Sequence, residues 1–394
     1  MALTLRPVLS MSEIYGPERF FFPRALDGYS DWLPNDPHQL DSFTGGQLAV
    51  AGDMPVVCSA GFNTPAGAEL LALAGIETAP NRIEYRTGEE LEALAQALAS
   101  RAGTVILSHA LPAGTIEMER CWIDPALLAA LNNKARLGDF VPAQNKPARA
   151  VFDRIQYFSA HRDRLPAVLK AASNQSSGGG CAVAICRTQG DLDQAERLFS
   201  TCDRIVEEEL LAIVRNPCVN FAAMADGEVR YLGFADQDVT PEGKYRGNWL
   251  EADSPISDAD IEVAAEPVRR SAAMGYRGFA GVDLALTGDG RTYVLDLNFR
   301  ANGCTTPLLL EPALRERSGP AVMHFRKLES HAGAEELARR LRTFVTSGRL
   351  VPLNLFDSGA ARYPGKPASV QALVLGSSRA DVLAAEAEIA AAIG

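Results

Sequence analysis

Residues 278–303 read GFAGVDLALTGDGRTYVLDLNFRANG, and this stretch predicts a β-hairpin. Asp289 and Gly290 suit a two-residue type I′ turn, because both central positions of that turn need positive φ. Apolar residues alternate on both sides of the turn, which is typical of strands with one buried face. With this turn, Asp283 lies directly opposite Asp296, and the two side chains project from the same face of the hairpin.

The polar face of this hairpin predicts a metal site. Two opposed carboxylates repel each other, which costs stability unless a divalent cation bridges them. Asp283, Asp296 and the amide of Asn298 supply the hard oxygen ligands that suit Mg²⁺, with Mn²⁺ as an alternative. Arg300 adds positive charge for a phosphoryl or carboxylate group. The alternative is a solvated hairpin face with charges of both signs, but the order Asp-x-Asn-x-Arg and the opposed Asp favour the metal site.

Length and composition exclude several classes of protein. The chain has 394 residues, enough for two or three subdomains with their own cores. Its net charge of −11 argues against a protein whose main function is to bind nucleic acid or an anionic membrane. Seven cysteines without metal-binding spacing predict reduced thiols and a cytoplasmic location. No apolar run is long enough for a transmembrane helix.

The first part of the chain has the strand–helix–strand rhythm of a parallel, Rossmann-like sheet. Thr64 is a good N-cap for the helix in this unit, and it is followed by a proline at the first helical position. Trp32 and the three phenylalanines from Phe20 are predicted to be core or interface anchors. His109 ends the second strand, where a structural role is favoured over a catalytic one. The predicted elements are a strand over 54–60, a helix over 65–74 and a strand over 104–108.

A lysine and a Ser/Gly loop predict a phosphate-binding segment. Lys170 lies in the short apolar strand LPAVLKAA, where its charge is costly unless the ammonium group reaches a partner. The loop that follows includes Ser177, Gly178 and Gly179. A flexible loop with free N–H groups beside a lysine suits polyphosphate binding, although no Walker motif is present. The alternative for the loop is a plain linker.

The hairpin and the order of these segments resemble the ATP-grasp ligase superfamily. In that family an acidic-x-Asn-x-Arg strand, with an acidic residue on the preceding strand, holds Mg²⁺ against the phosphates of ATP. The resemblance therefore implies Asp283, Asp296 and Asn298 as metal ligands. It also implies catalytic roles for Arg300 and Lys170, with the Ser/Gly loop as a lid over the phosphates.

The resemblance extends to further nucleotide-binding residues. Lys134 follows a predicted helix, where it is either a nucleotide-contacting lysine or a lysine that faces the helix macrodipole. A polar loop is predicted over 236–249, and its basic pair either binds phosphate or is solvated. The pair is Lys244, implied to contact the nucleotide, and Arg246, implied to be catalytic. The acidic segment that would carry adenine consists of Glu207, which best matches the motif, with Glu208, Glu209 and Leu210 offering backbone groups.

The fold implied is α/β, an ATP-grasp fold preceded by a Rossmann-like pre-ATP-grasp domain. The expected boundaries are 1–130 for the N-terminal domain and 131–394 for the ATP-grasp domain, divided into a lid-bearing part at 131–210 and a catalytic part at 211–394. The implied activity is an ADP-forming carboxylate–amine ligase that makes an amide through an acyl phosphate.

Residues 121–134, CWIDPALLAALNNK, look most like peptide ligases of natural-product pathways, such as the pheganomycin type. That likeness implies an amino-acid or peptide-like carboxylate and an amine as small-molecule substrates. The alternatives are phosphoryl transfer to a hydroxyl or enol and a non-catalytic nucleotide-binding protein. The oligomeric state stays open, with a homodimer as one option.

Overall fold

The computed structural model describes residues 4–100, 104–112 and 114–394, without the side chains of residues 99 and 100. These residues form an α/β protein, as the sequence predicts, and they contain three β-sheets. Within the described ranges, no helix is long and apolar enough to cross a membrane.

The N-terminal sheet is parallel. Its strands are β1 (Phe20–Phe22), β2 (Val56–Ser59), β3 (Arg82–Tyr85) and β4 (Val105–Leu107), and its helices are α1 (Met11–Tyr15), α2 (Pro37–Asp41), α3 (Pro65–Ala74) and α4 (Gly88–Ser100). The strand order is β3-β2-β1-β4, with every pairing parallel. The Thr64 side chain accepts from the Gly67 N–H and caps α3, and Gly75 ends the helix in the left-handed conformation. The predicted parallel sheet is therefore confirmed.

A second, antiparallel sheet carries the lysine and the Ser/Gly loop. The elements from the connecting helices onward are α5 (Pro125–Asn132), α6 (Leu137–Phe140), β5 (Arg149–Asp153), α7 (Arg154–Ala160), β6 (Ala167–Ala171), β7 (Val183–Cys186), α8 (Gln189–Leu198) and β8 (Arg204–Glu209). The strand order is β5-β8-β6-β7, so the acidic strand β8 lies beside the lysine strand β6. We call this unit, residues 147–209, the lid subdomain.

The third sheet is the largest and contains the hairpin that is predicted to bind a metal. Its elements are β9 (Ile213–Arg215), β10 (Pro217–Ala223), β11 (Val229–Val239), β12 (Tyr245–Glu251), α9 (Asp258–Ala273), β13 (Gly278–Thr287), β14 (Thr292–Asn298), α10 (Thr305–Ser318), β15 (Val322–Ser330), α11 (Ala334–Thr346), β16 (Leu350–Pro352), β17 (Ala368–Gly376) and α12 (Arg379–Ile393). The main path runs β14-β13-β10-β11-β12-β15-β17-β16, and β9 pairs with β13. Helices α5, α6 and α9 cover one face beside the hairpin, where an apolar core includes Val282, Leu297 and Phe299.

One sequence prediction of local structure is wrong, and two further features were not foreseen. The polar stretch 236–249 is not one loop, because β11 continues to Val239 and β12 begins at Tyr245. Helix α9 contains Pro267 in its interior, where the proline is buried. The three phenylalanines of β1 are buried, as predicted, but they form a central strand that the sequence did not indicate, since a strand buried on both faces has no polar alternation.

Candidate active site

The β13–β14 hairpin brings two carboxylates together. Asp283 is registered directly opposite Asp296, so the predicted pairing is confirmed. Asn298 lies two residues beyond Asp296, and its Nδ2 donates to Asp283 Oδ2 at 3.1 Å. The three side chains predicted to bind a metal are therefore grouped at one end of the hairpin.

The turn that closes this hairpin differs from the prediction. The Thr287 N–H donates to the Arg291 carbonyl (3.1 Å), which leaves three residues in the loop. Gly290 has a positive φ of 78°, and the type I′ prediction, which needs positive φ at Asp289 as well, is wrong. The register then shifts by one beside Asp283, where Leu295 is the extra residue of a β-bulge. The bulge offsets the longer loop, which is why the carboxylates still face each other.

The two carboxylates differ in electrostatic environment. Burial, and then the negative charge of Asp296, raise the pKa of Asp283. Burial would also raise the pKa of Asp296, but the charges of Lys134 and Lys170 outweigh it and lower that pKa. Asp283 Oδ1 is buried and has no hydrogen-bond partner among the described residues. The lysine charges thus outweigh the effect of burial at Asp296, whereas at Asp283 the charge of Lys134 does not, and this is the deficit that a cation would fill.

Two lysines from different parts of the chain converge on the hairpin. Lys134 lies in a 3₁₀ turn directly after α5, is 8% exposed, and forms an ion pair with Asp296. Lys170 on β6 forms an ion pair with Glu208 Oε2 at 2.6 Å and donates to the carbonyl of Leu295, the bulge residue, at 2.7 Å. Because Lys134 points into this cluster, the macrodipole alternative does not describe its position.

Arg300 connects the hairpin to two other elements. Its Nη1 donates to Asn132 Oδ1 at 3.0 Å, and its Nη2 donates to Asn298 Oδ1 and to the Ser177 carbonyl, both at 2.9 Å. Asn132 Oδ1 also accepts from the Phe299 N–H at 3.0 Å. All of these acceptors are uncharged, so none of them neutralises the guanidinium, whose charge can act on an anionic ligand.

The acidic strand β8 alternates its side chains. Glu208 is 2% exposed and faces Lys170, whereas Glu207 lies on the other face, 3.3 Å from Arg164 Nη1. Glu209 accepts from the Ala148 N–H at 2.8 Å. Leu210 and the next two residues, which follow β8, make no backbone–backbone hydrogen bond among the described contacts. Their N–H and C=O groups are therefore available to the edge of a planar ligand. An open cleft of about 440 Å³ runs beside these glutamates.

The Ser/Gly loop lies over the hairpin. The Ser177 carbonyl is held by Arg300, and Gly178 packs near Leu33. Gly180 has positive φ (79°), and a Cβ there would lie 2.7 Å from the Gly243 carbonyl, so only glycine permits this approach. The predicted phosphate-binding loop is therefore positioned between Arg300 and the β11–β12 turn.

The predicted basic pair is not part of this cluster. Lys244 is exposed on the short turn before β12, and its N–H donates to Thr240 Oγ1 at 3.2 Å. Arg246 is 52% exposed and forms an ion pair with Asp238 at 2.6 Å. Neither has a described contact with the hairpin carboxylates or Lys170, so their ligand-binding roles stay predictions.

His109 and Asn220 have distinct surroundings. His109 Nδ1 is buried with no partner among the described residues, and burial, then the charge of Arg300, lower the pKa of His109 to about 3. The imidazole is therefore neutral near pH 7 beside Arg300. Asn220 is 1% exposed, and its amide contacts Cys304 Sγ (3.0 Å) and accepts from Asn302 Nδ2 (3.0 Å), an interior packing role.

Sequence reasoning missed two residues of the site. Asn132 orients Arg300, and Arg149 Nη1 lies 3.6 Å from Glu208 Oε1, while Nη2 of Arg149 donates to the Lys134 carbonyl. A possible signal for Arg149 is its place opposite Glu208 on neighbouring strands, which is visible only once β5 and β8 are paired. Asn132 has no such signal, because it sits inside a predicted helix.

Two models of protein families match parts of this chain. Residues 147–298 match the model described as L-aspartate–L-methionine ligase, ATP grasp. Residues 10–129 match the model of the N-terminal domain of the same ligase. Together the two matches cover more than half of the chain. The chain belongs to the ATP-grasp ligase superfamily.

Solved structures share this ATP-grasp fold at low sequence identity. N5-carboxyaminoimidazole synthetase from Staphylococcus aureus, complexed with ADP, has a TM-score of 0.56 and 10% identity, with 100% of each chain covered. The carboxyaminoimidazole ribonucleotide synthase of Aspergillus clavatus, complexed with ATP, has a TM-score of 0.55 and 12% identity over 96% of this chain and 98% of that one. An L-amino acid ligase from Bacillus licheniformis has a TM-score of 0.54 and 13% identity over 94% and 96%. These likenesses show the fold.

Proposed function

We propose that this ATP-grasp protein is an ATP-dependent ligase that joins a carboxylate to an amine and releases ADP and phosphate. The observation that carries the proposal is the opposed pair Asp283 and Asp296, in which one buried oxygen of Asp283 has no described partner. A hairpin that keeps two carboxylates together in this way is suited to a divalent cation with a polyphosphate.

Mg²⁺ fits the donor set of the hairpin. Asp283 Oδ1 and the carboxylate of Asp296 are hard oxygen ligands, and the Asn298 amide oxygen can accept from Arg300 and still offer a second lone pair. Mn²⁺ would be accepted by the same ligands. Mg²⁺, when bound, neutralises charge on the phosphates of the nucleotide.

The residues around the hairpin would position the two substrates. Lys134 and Lys170 are held beside Asp296 and would hold the phosphates, while the free backbone groups after Glu209 would hold the adenine edge. Arg300 would orient the donor carboxylate. An oxygen of that carboxylate attacks the γ-phosphorus and ADP leaves; the amine nitrogen then attacks the acyl carbon and phosphate leaves.

Amino acids are the substrates to test first. Both matching family models are described as L-aspartate–L-methionine ligase, and one structural relative is titled L-amino acid ligase. We therefore propose an amino-acid donor and an amino-acid acceptor, with the donor and acceptor sites between a domain at 1–130 and the ATP-grasp domain at 131–394.

The experiment uses L-aspartate labelled with ¹⁸O in its carboxylates, L-methionine, ATP and Mg²⁺. The ligase proposal predicts a dipeptide, ADP and phosphate that carries one ¹⁸O atom from aspartate. A stable phosphorylated product without dependence on amine would instead support phosphoryl transfer. The absence of ADP formation across a panel of amino acids would contradict both enzyme proposals and support a non-catalytic nucleotide-binding protein.

A further inference from the structure

Trp32 belongs to the N-terminal part of the chain but is packed inside the lid subdomain. It lies in the connection between β1 and α2, and it is 2% exposed. The apolar cluster that surrounds it consists of lid-subdomain residues, including Leu169, Leu192 and Ile205. Its ring centroid is 5.9 Å from that of Phe199. The core of the nucleotide-binding unit is thus completed by a side chain from outside it.

The residues beside Trp32 hold the Ser/Gly loop by hydrogen bonds. The Trp32 carbonyl accepts from the Gly178 N–H at 3.3 Å. Ser30 Oγ donates to the Ser176 carbonyl at 2.5 Å, and the Asp31 N–H donates to the side chain of Gln175 at 3.1 Å. Three successive residues of the N-terminal segment therefore meet the loop along its length.

The same loop is held from the opposite direction by the hairpin. The Ser177 carbonyl accepts from Arg300 Nη2 at 2.9 Å, one residue away from the Ser176 carbonyl that Ser30 holds. A loop rich in serine and glycine loses much backbone freedom when it is ordered. Contacts on both sides supply that order before a ligand binds.

We propose that residues 30–32 form a clamp, with Trp32 as its anchor, that positions the Ser/Gly loop over the nucleotide phosphates. This inference rests on the proposed function for the identity of the ligand. Trp32 is a positioning residue: its ring packs in the lid subdomain, and its backbone carbonyl and Ser30 hold the loop. Opening the lid subdomain requires either withdrawal of the indole from its core or movement of the clamp with the lid.

Two variants test the clamp at different strengths. Trp32→Ala removes the anchor, whereas Ser30→Ala keeps the indole and removes a hydroxyl that donates to the Ser176 carbonyl and accepts from the Trp32 N–H at 3.1 Å. Ser347→Ala is the matched control, because the Ser347 hydroxyl also donates to a carbonyl, that of Phe344, but on the exposed end of α11. Hydrogen exchange of amides 175–180 is measured by mass spectrometry on the protein without nucleotide.

The clamp predicts a graded result. Loss of the buried ring accelerates loop exchange by at least about fiftyfold, and loss of the Ser30 hydroxyl accelerates it by about fivefold. The control leaves it unchanged, and the amides of β1, β2 and β4 keep their wild-type rates in all variants. The apparent KM for ATP rises in the same order, because a loosened loop must be ordered on binding, while kcat changes less.

Unchanged hydrogen exchange of the loop in Ser30→Ala would overturn the clamp. The clamp would also be overturned if Trp32→Ala accelerated exchange in the N-terminal sheet as much as in the loop, since that result indicates global destabilisation. If Trp32→Ala does not fold, Ser30→Ala and Trp32→Phe decide the outcome. Exchange is measured without turnover. A wild-type protein that does not consume ATP would therefore contradict the proposed ligase but leave the exchange result to decide on the clamp.

Discussion

The β13–β14 hairpin and the Ser/Gly loop are assembled in different ways. In the hairpin, Asn298 contacts Asp283 across 15 residues of sequence, and the pairing of two adjacent strands places both. The loop is held by Ser30, 146 residues before Ser176, and by Arg300, 123 residues after Ser177. The polar side chains of the hairpin are therefore placed by neighbouring strands, whereas the position of the loop depends on contacts with two distant parts of the chain. Variants in each region sharpen or break this contrast.

The largest effect is expected from Asp296→Asn. This change removes a proposed metal ligand and the partner of Lys134, so we expect kcat/KM for ATP to fall by at least about 10³-fold. Asp289→Asn is the matched control in the same hairpin, because Asp289 lies in the exposed turn and pairs with Arg291. Steady-state ADP release measures both. Equal activity of the Asp296 and Asp289 variants would contradict a metal site in the hairpin.

A second variant tests the buried ion pair that joins the lid to the hairpin. Lys170→Met leaves Glu208 buried beside a neutral side chain, with only Arg149 at 3.6 Å, so we expect it to lower the free energy of unfolding by about 3 kcal/mol. Adding Glu208→Gln should recover most of the stability but not the activity, since the positive charge proposed to bind phosphate is still missing. Urea unfolding and ADP release are the measurements. Recovery of activity in the double variant would contradict the role of Lys170.

A third variant tests whether Arg300 needs its support. Asn132→Ala removes an acceptor shared by Arg300 and the Phe299 N–H, and we expect kcat to fall about ten- to hundredfold. The Phe299 N–H loses its partner, so we also expect a loss of about 1–3 kcal/mol of stability. Asn145→Ala is the control, because Asn145 donates to the Thr292 carbonyl near the turn of the same hairpin. If both variants lose activity equally, Asn132 supports the hairpin in general and not Arg300.

The pH dependence of stability distinguishes the two carboxylates. The pKa of Asp283 is raised in the folded state, so the folded protein holds more protons than the unfolded one and loses stability as pH rises from about 4 through the folded pKa. Asp283→Asn should therefore stabilise the metal-free protein at pH 7 by about 1 kcal/mol but not at pH 3.5. Urea unfolding at both pH values checks this. Lower stability of the variant at pH 7 would show that the carboxylates do not repel.

The smallest effect is expected from Arg246→Ala. Arg246 is 52% exposed and paired with Asp238, so we expect kcat/KM to stay within about threefold of wild type. Lys366→Ala, which breaks an exposed pair with Asp36, is the control. A loss of a hundredfold or more for Arg246 alone would restore the sequence prediction that it contacts a phosphoryl group during catalysis.

The sequence predicts what depends on neighbouring strands and capped helices. Helix α3 follows from its Thr64 cap and from Gly75, and the pairing of Asp283 with Asp296 follows from the alternation around the turn. That pairing is right although the turn type is wrong, because a bulge at Leu295 restores the register. Periodicity cannot reveal such a bulge, since it adds a residue without changing which positions are apolar.

Contacts between distant segments are beyond periodicity. Trp32 is identifiable in sequence as an apolar anchor, but the core that buries it consists of residues from 152 to 205. Asn132 lies in a predicted helix, and the helical pattern gives no sign of its contact with Arg300. The stretch 236–249 is predicted to be a loop because polar residues outnumber apolar ones in it. In the structure most of it belongs to β11 and β12, where Asp238 forms ion pairs with Arg246 and Arg326.

The most direct test of the central claim is Mn²⁺ binding in the presence of ADP, followed by the electron paramagnetic resonance signal of free Mn²⁺. The account predicts that wild-type protein removes the free signal and that Asp289→Asn does the same, whereas Asp283→Asn and Asp296→Asn each leave the ion largely free. Undiminished Mn²⁺ binding by both hairpin variants would contradict the assignment of the nucleotide–metal site to this pair of strands.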